Sequence, residues 1–183
     1  MAGALGGVVS GHAATGPAET YVRRVADEVM ALANSGQAGD GLRNKFAALL
    51  NRHISLRPIA NYALGPYQND LPGAKKTEFY RLVGNYAAAL FVFYADDFKG
   101  SALDIISTTQ QGNFTIIQSA IKGNGEKIRW RLSGGGSGFK ISDVNVKGVW
   151  LTIAMRDRFN KVLKRSNGDF EALFKELREA NSW

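Results

Sequence analysis

The sequence contains no cysteine, which excludes disulfide bonds, thiolate metal sites and a cysteine nucleophile. It contains only two histidines, His12 and His53. Two are too few for a multi-histidine metal site, and they leave few candidates for the histidine of a catalytic triad. It also lacks an uninterrupted apolar run of about 18 residues, which a membrane-spanning helix would need. The chain must therefore be held together by packing alone.

Acidic residues are in the minority, since 23 Lys and Arg against 16 Asp and Glu give a formal net charge of +7. A positive charge favours binding to nucleic acid, to an anionic membrane or to an acidic protein, and the sign of the charge alone does not distinguish these partners. Residues 1–16 are uncharged and are predicted to be either a signal-peptide remnant or a disordered leader. Residues 17–183 are predicted to form a single domain.

Helical spacing of apolar residues dominates residues 17–98. One stripe predicts an amphipathic helix from Pro17 to Ala33, a second predicts a helix from Leu42 to His53, and Pro58 suits the first turn of a short third helix. The longest helix is predicted from Lys75 to Phe98. Its aromatic side is flanked by a run of small residues, which would let another element or a ligand chain approach the backbone: Gly84, Ala87, Ala88 and Ala89.

Over residues 101–147 the apolar residues recur at every second position, which predicts the strands of a sheet. Apolar Trp130 alternates with basic Arg129 and Arg131, so one face is dry and the other wet. C-terminal helices are predicted within residues 150–180. The fold class is α+β, with an antiparallel curved sheet of about four strands wrapped by N-terminal and C-terminal helices. The predicted strands are Leu103–Thr109, Asn113–Lys122, Glu126–Leu132 and Phe139–Val146, and the predicted C-terminal helices are Leu151–Arg165 and Asp169–Ala180.

Few residues suggest catalysis. The glycine-rich run 134–138 lies between two strands and predicts a hairpin loop, not a phosphate-binding loop. His53 is predicted to be a surface or capping residue. Asp143 interrupts the apolar alternation of its strand, which indicates a β-bulge or a buried ion pair with Arg156 or Arg158 in preference to a catalytic role.

A series of short motifs, taken in order, resembles the MlaC (toluene-tolerance) family of periplasmic phospholipid-binding proteins, which includes hopanoid-associated relatives. The resemblance runs from about Tyr21 to Leu177 and depends on the order of the motifs, since no single one is decisive. The motifs are Ile59 to Gly65, Phe79-x-x-Leu82 followed by Tyr86, Ile128 to Leu132, Phe139 to Val149, Arg156-Asp-x-Phe159 and Phe170-x-x-Leu173-x-x-x-Leu177.

The resemblance implies a non-enzymatic periplasmic carrier with an NTF2-like sheet. Such a carrier holds phospholipid acyl chains in its interior and shuttles lipid between inner- and outer-membrane complexes, which maintains outer-membrane lipid asymmetry. The implied partners are phospholipid, an inner-membrane ABC transporter complex with an MCE domain, and an outer-membrane complex of a lipoprotein with a porin. No cofactor besides the bound phospholipid and no nucleic acid is implied, and a monomer is expected. A hopanoid or another lipid is the alternative ligand.

A carrier of this kind needs an enclosed apolar cavity, because a two-chain lipid exposes on the order of 30 methylenes at ~0.8 kcal/mol each, roughly 24 kcal/mol in water. Trp150 stands where the family commonly has a small serine, so it is expected to narrow the cavity mouth or to alter lipid preference. The candidate lining residues are Phe79, Val83, Tyr86, Leu90, Phe93, Ile116, Ile128, Trp130, Val144, Val146 and Trp150.

Two functions of other classes stay open. An NTF2-like small-molecule enzyme would use Asp143 or Asp104 as a base in an apolar pocket, and it predicts an acidic side chain with a raised pKa facing that pocket. A nucleic-acid or acidic-protein binding module would depend on the positive charge, although the period-two pattern turns Trp130 away from its arginine neighbours.

Overall fold

The computed structural model describes residues 16–99, 102–135 and 138–180. Except for Gly16, the predicted leader of residues 1–16 lies outside this part of the chain. Residues 136 and 137 of the predicted glycine-rich hairpin loop also lie outside it.

The helices follow the apolar stripes of the sequence closely. The long helix predicted from Lys75 to Phe98 ends early, at Phe93, and the chain continues as a 3-10 turn over Ala95–Phe98. Asp96 and Asp97 explain the early end, because carboxylates near a helix C-terminus oppose the helix dipole. The helices are α1 (Pro17–Ala33), α2 (Gly39–His53), α3 (Leu56–Leu64), α4 (Lys76–Phe93), α5 (Leu151–Arg165) and α6 (Phe170–Glu179). No helix in the described ranges has both the length and the apolar character needed to cross a membrane.

The strands form one antiparallel meander in the order β1-β2-β3-β4-β5. The four predicted strands are present, and a short fifth strand follows them. Lys147 and Gly148 both have positive φ angles, 52° and 83°, as a tight hairpin turn requires, and this turn pairs Val149 with Val146. The α+β prediction is thus confirmed. The strands are β1 (Leu103–Gln111), β2 (Phe114–Ile121), β3 (Lys127–Gly135), β4 (Gly138–Val146) and β5 (Val149–Trp150).

The two faces of the sheet differ as the alternation predicts. Trp130 is buried on the inner face, where its indole Nε1 donates to Ser119 Oγ at 2.9 Å, while Arg129 and Arg131 are half-buried on the outer face. One cluster of buried apolar side chains joins α1 and α2 to the inner face. A second cluster joins α3, α4, α5 and α6. The division of the apolar interior into two clusters leaves room between them.

Candidate functional site

A cavity of about 1100 Å³ lies between the two apolar clusters. Its wall is formed mainly by α2, α4, β4 and α5, and most of the wall is apolar. Side chains of α4 and α5 that line the cavity are also exposed to solvent, so the cavity opens between these helices and the β4–β5 turn. We call this opening the mouth and define it by the exposed lining residues at the end of α4, around the β4–β5 turn and on α5, which are Phe93, Tyr94, Lys147, Val149, Ala154, Asp157, Arg158 and Lys161. Two other exposed lining residues, Asn51 on α2 and Arg81 on α4, lie outside this set.

The wall residues share apolar character but come from distant parts of the chain. On α4 the lining includes Gly84 and Ala87, so the small flank of this helix does face open space, whereas Ala88 and Ala89 are buried elsewhere. The apolar lining contributed by the rest of the chain includes Val25, Val29, Phe46, Ala47, Leu49, Leu50, Ile54, Leu56, Ile59, Phe98, Ile141, Leu151 and Met155.

One polar group of the wall is His53, at the end of α2. Its ring is buried, with Nδ1 3.3 Å from the Tyr21 hydroxyl and Nε2 3.3 Å from Glu28 Oε1. The expectation of a surface histidine was therefore wrong, because α1 covers the end of α2. The hydrogen bond from Arg52 is the largest of the effects that lower the pKa of Glu28. A lowered pKa favours the carboxylate form of Glu28, which lies within reach of both Arg52 and His53.

A second polar group of the wall is Asp143, on β4, and its carboxylate ties the sheet to α5. Oδ1 accepts hydrogen bonds from Val144 N at 2.9 Å and Thr152 N at 3.1 Å, while Oδ2 accepts from Thr152 Oγ1 at 2.5 Å. Thr152 lies in the first turn of α5, where free backbone N–H groups need acceptors. Asp143 therefore caps α5 from a neighbouring strand.

The predicted bulge and buried ion pair are both present at Asp143, but the cation is different. Ser142 is the extra residue where the register shifts, since Arg131 pairs with Asp143 and Leu132 pairs with Ile141. Arg131 Nη1 lies 3.4 Å from Asp143 Oδ2, so the partner is not Arg156 or Arg158. Sequence reasoning looked to the helix because it could not foresee the register of β3 against β4.

Burial of Asp143 has a consequence that pH can test. Desolvation raises the pKa of this carboxyl from its ordinary value of 3.8, against the opposing hydrogen bonds from Thr152 and Val144 and the charge of Arg131. An acid with a raised folded-state pKa binds more protons when folded, so the free energy of unfolding falls as pH rises from about 3.8 through the folded pKa. Asp143→Asn should lack this pH dependence.

Urea unfolding of both proteins from about pH 4 to pH 7 measures this effect. We expect the wild type to lose stability relative to Asp143→Asn as pH rises. Asp104→Asn is the matched control, because Asp104 is exposed and pairs with Lys122 at 3.3 Å. A stability difference between the wild type and Asp143→Asn that stays constant, or changes in the opposite direction, would contradict the raised pKa.

The structure brings six of the predicted lining residues together around the cavity and leaves five outside its lining. Phe79 and Val83 are fully buried in the second cluster, where the Phe79 ring stacks 6.2 Å from that of Phe174. Ile128 is buried in the first cluster. The six that line the cavity are Tyr86, Leu90, Phe93, Trp130, Val144 and Val146.

The other two predicted residues lie on the wrong face of the sheet. Ile116 pairs directly with Arg131, and directly opposed residues share a face, so Ile116 lies on the outer face and its neighbour Ile117 takes the inner position. Trp150 pairs with Asn145, and its ring lies 4.3 Å from Arg131 Cζ and 5.2 Å from Arg129 Cζ. It therefore stacks on the arginines outside the cavity and does not narrow the mouth.

Sequence reasoning missed the contribution of α2 and α3 to the wall. Their apolar stripes were visible, but a stripe that packs into a solid core looks the same as one that faces a cavity. No group of three or more His, Cys, Asp or Glu side chains in residues 16–99, 102–135 and 138–180 is arranged to hold a metal ion. What the site offers is a large apolar volume with charges at its mouth.

Comparisons with known proteins agree with this geometry. The family model described as MlaC protein matches residues 23–179. Among solved structures, the chain is similar to the phospholipid-binding protein from Ralstonia solanacearum in complex with a phospholipid, with 16% identity and a TM-score of 0.72 over 89% of this chain and 96% of that one. At this identity, the likeness shows a shared fold. No curated protein matches the sequence significantly.

Proposed function

The chain belongs to the MlaC family, and from that premise we propose that it is a periplasmic phospholipid carrier. The apolar cavity carries this proposal, because its wall is suited to the apolar part of a lipid. Under this proposal, residues 17–183 act as a single lipid-binding domain, which takes up phospholipid acyl chains and carries the lipid between inner- and outer-membrane complexes. The structural neighbour from Ralstonia solanacearum, which holds a phospholipid, supports the choice of ligand.

The size of the cavity supports a two-chain lipid. A water molecule occupies about 30 Å³ in the liquid, and a methylene is of similar size, so a cavity of about 1100 Å³ holds roughly 35 such groups. Two acyl chains of about 16 carbons each fit this number, whereas a single chain would leave about half of the space empty. We therefore expect both chains of a phospholipid to lie inside.

The mouth suits the headgroup. Lys161 is exposed there, and so are Lys147 and Arg158, which pair with Asp97 and Glu176 at 2.8 Å each. Together with the single acid Asp157 they place cationic side chains where a lipid phosphate would lie while the acyl chains remain inside. The family supports the remaining parts of the proposal, which are transporter and porin complexes as partners and maintenance of outer-membrane lipid asymmetry.

One observation favours an enzyme, since Asp143 lines the cavity and burial raises its pKa, as the enzyme hypothesis predicts. Its oxygens, however, are occupied by Thr152, Val144 and Arg131, which leaves none directed at a ligand. Asp104 is exposed on β1 and does not line the cavity. The carrier is therefore the better-supported function.

Extraction of the purified protein with organic solvent, followed by mass spectrometry, tests the proposal. We expect about one phospholipid per protein, and protein stripped of lipid should regain it from phospholipid vesicles. A hopanoid or another lipid in the extract would identify a different ligand of the same cavity. Protein that contains no lipid and takes up none from vesicles would refute the carrier function.

A further inference from the structure

Exposed apolar side chains are concentrated at the mouth of the cavity. Seven large apolar side chains are exposed among the described residues, and four of them lie at the end of α4, on β5 and in the first turn of α5. Phe93, Tyr94 and Val149 also line the cavity, whereas Ile153 is exposed without lining it, although its neighbours Thr152 and Ala154 do. We call these four residues the apolar rim. Their exposures are 65% for Phe93, 41% for Tyr94, 52% for Val149 and 43% for Ile153.

The helix on one side of the mouth is strongly basic. Glu176 on α6 pairs with two of the cations of α5, Arg158 at 2.8 Å and Arg165 at 3.6 Å. The five cations of α5, less Asp157 and Glu176, still leave a net charge of +3 on this helix, although Arg156 is turned towards α3, where its Cζ lies 4.8 Å from the Tyr62 ring. The basic residues of α5 are Arg156, Arg158, Lys161, Lys164 and Arg165, against the single acid Asp157.

We propose that the apolar rim is a docking surface for an anionic lipid membrane, with the mouth facing the bilayer. Phe93, Val149 and Ile153 would enter the boundary between headgroups and acyl chains, and Tyr94 would keep its hydroxyl among the headgroups. The cations of α5 would contact anionic headgroups. A lipid could then pass between bilayer and cavity without exposing its acyl chains to water.

A membrane fits these observations better than a protein partner does. The rim residues come from the ends of separate elements and protrude around an opening, so a protein would need a matched set of pockets to cover them. A fluid interface accepts protruding aromatic and aliphatic side chains without such shape complementarity. Negative lipid headgroups also complement the net charge of +3 on the helix that carries Ile153.

Ile153→Asp tests the docking surface without altering the cavity wall. The full chain is mixed with vesicles of phosphatidylglycerol and phosphatidylcholine, or of phosphatidylcholine alone, and the bound fraction is measured by flotation. We expect wild-type protein to bind the anionic vesicles, more weakly at high salt, and Ile153→Asp to bind at least about tenfold more weakly. Ile106→Asp is the matched control, because Ile106 is 56% exposed on β1 away from the mouth; it should bind within about twofold of wild type.

Three results would overturn the proposal: no binding to protein-free anionic vesicles at low salt, equal binding to neutral and anionic vesicles, or equal losses for Ile153→Asp and Ile106→Asp. Binding only to vesicles that carry membrane proteins would assign the rim to a protein partner and would also overturn it. Phospholipid content is measured on the same preparations. A wild type without bound lipid would refute the carrier function but not docking, because flotation needs no occupied cavity.

Discussion

Replacing Leu90 with aspartate should empty the cavity of phospholipid. Leu90 is half-buried on α4 and lines the cavity. In the empty cavity water can hydrate the new carboxylate, whereas a bound lipid would surround it with acyl chains. Desolvation of an unpaired charge should therefore weaken binding by about 3 kcal/mol or more, which is roughly 150-fold in affinity. Phospholipid per protein, measured by mass spectrometry after identical purification, should fall accordingly.

Leu32→Asp is the matched control for this variant. Leu32 is also a half-buried leucine on a helix, and it packs against the first apolar cluster without lining the cavity. Both variants should lose some stability, on the order of 1–3 kcal/mol, so thermal unfolding of each is compared with the wild type. Only Leu90→Asp should lose its lipid. Wild-type lipid content in Leu90→Asp, or an equal loss in Leu32→Asp, would argue against acyl chains in this cavity.

The helices and strands were predictable because the apolar residues repeat at a regular interval over long stretches of the sequence. The stripe from Pro17 to Ala33 predicts α1 to the residue, and the alternation around Trp130 places the correct side chains of β3 inside. Both are local properties, since a helix or strand with one buried face repeats that face at a fixed interval. The α+β class followed from them, and so did the inward position of Val144 and Val146.

The faces of individual residues were harder to predict where the register mattered. Ile116 and Ile117 are adjacent and equally apolar, so only the pairing of β2 with β3 shows which one faces inward. Trp150 belongs to a two-residue strand whose partner, Asn145, lies on the outer face. A change of one residue in register exchanges the two faces, and the sequence of a short strand does not fix it.

The distinction between cavity wall and solid core was equally inaccessible. Phe79 and Leu90 lie on the same helix and both belong to its apolar positions, yet Phe79 packs against α5 and α6 whereas Leu90 lines the cavity. The difference depends on how far α4 and α5 stand apart along their length. That spacing is a property of the assembled helices, to which Asp143 contributes by fixing the start of α5.

Asp143→Ala should be the most destabilising single change at this junction. The carboxylate side chain is fully buried, and its removal leaves Thr152 N, Thr152 Oγ1 and Val144 N without their acceptor. It also leaves the half-buried Arg131 without its anion. Removing one member of a buried, hydrogen-bonded ion pair costs about 3 kcal/mol or more. For a chain of this length, that corresponds to a fall in Tm of about 6–12 °C.

Asp104→Ala separates this structural role from a general effect of losing an acid. Asp104 pairs with Lys122 at 3.3 Å, and both side chains are more than half exposed, so the change should alter stability by less than about 0.5 kcal/mol. Thermal unfolding of the two variants at neutral pH makes the comparison. Because α5 forms one side of the mouth, Asp143→Ala should also lower phospholipid content even below its Tm, whereas Asp104→Ala should not. Equal Tm values for the two variants would show that Asp143 does not hold α5 against the sheet.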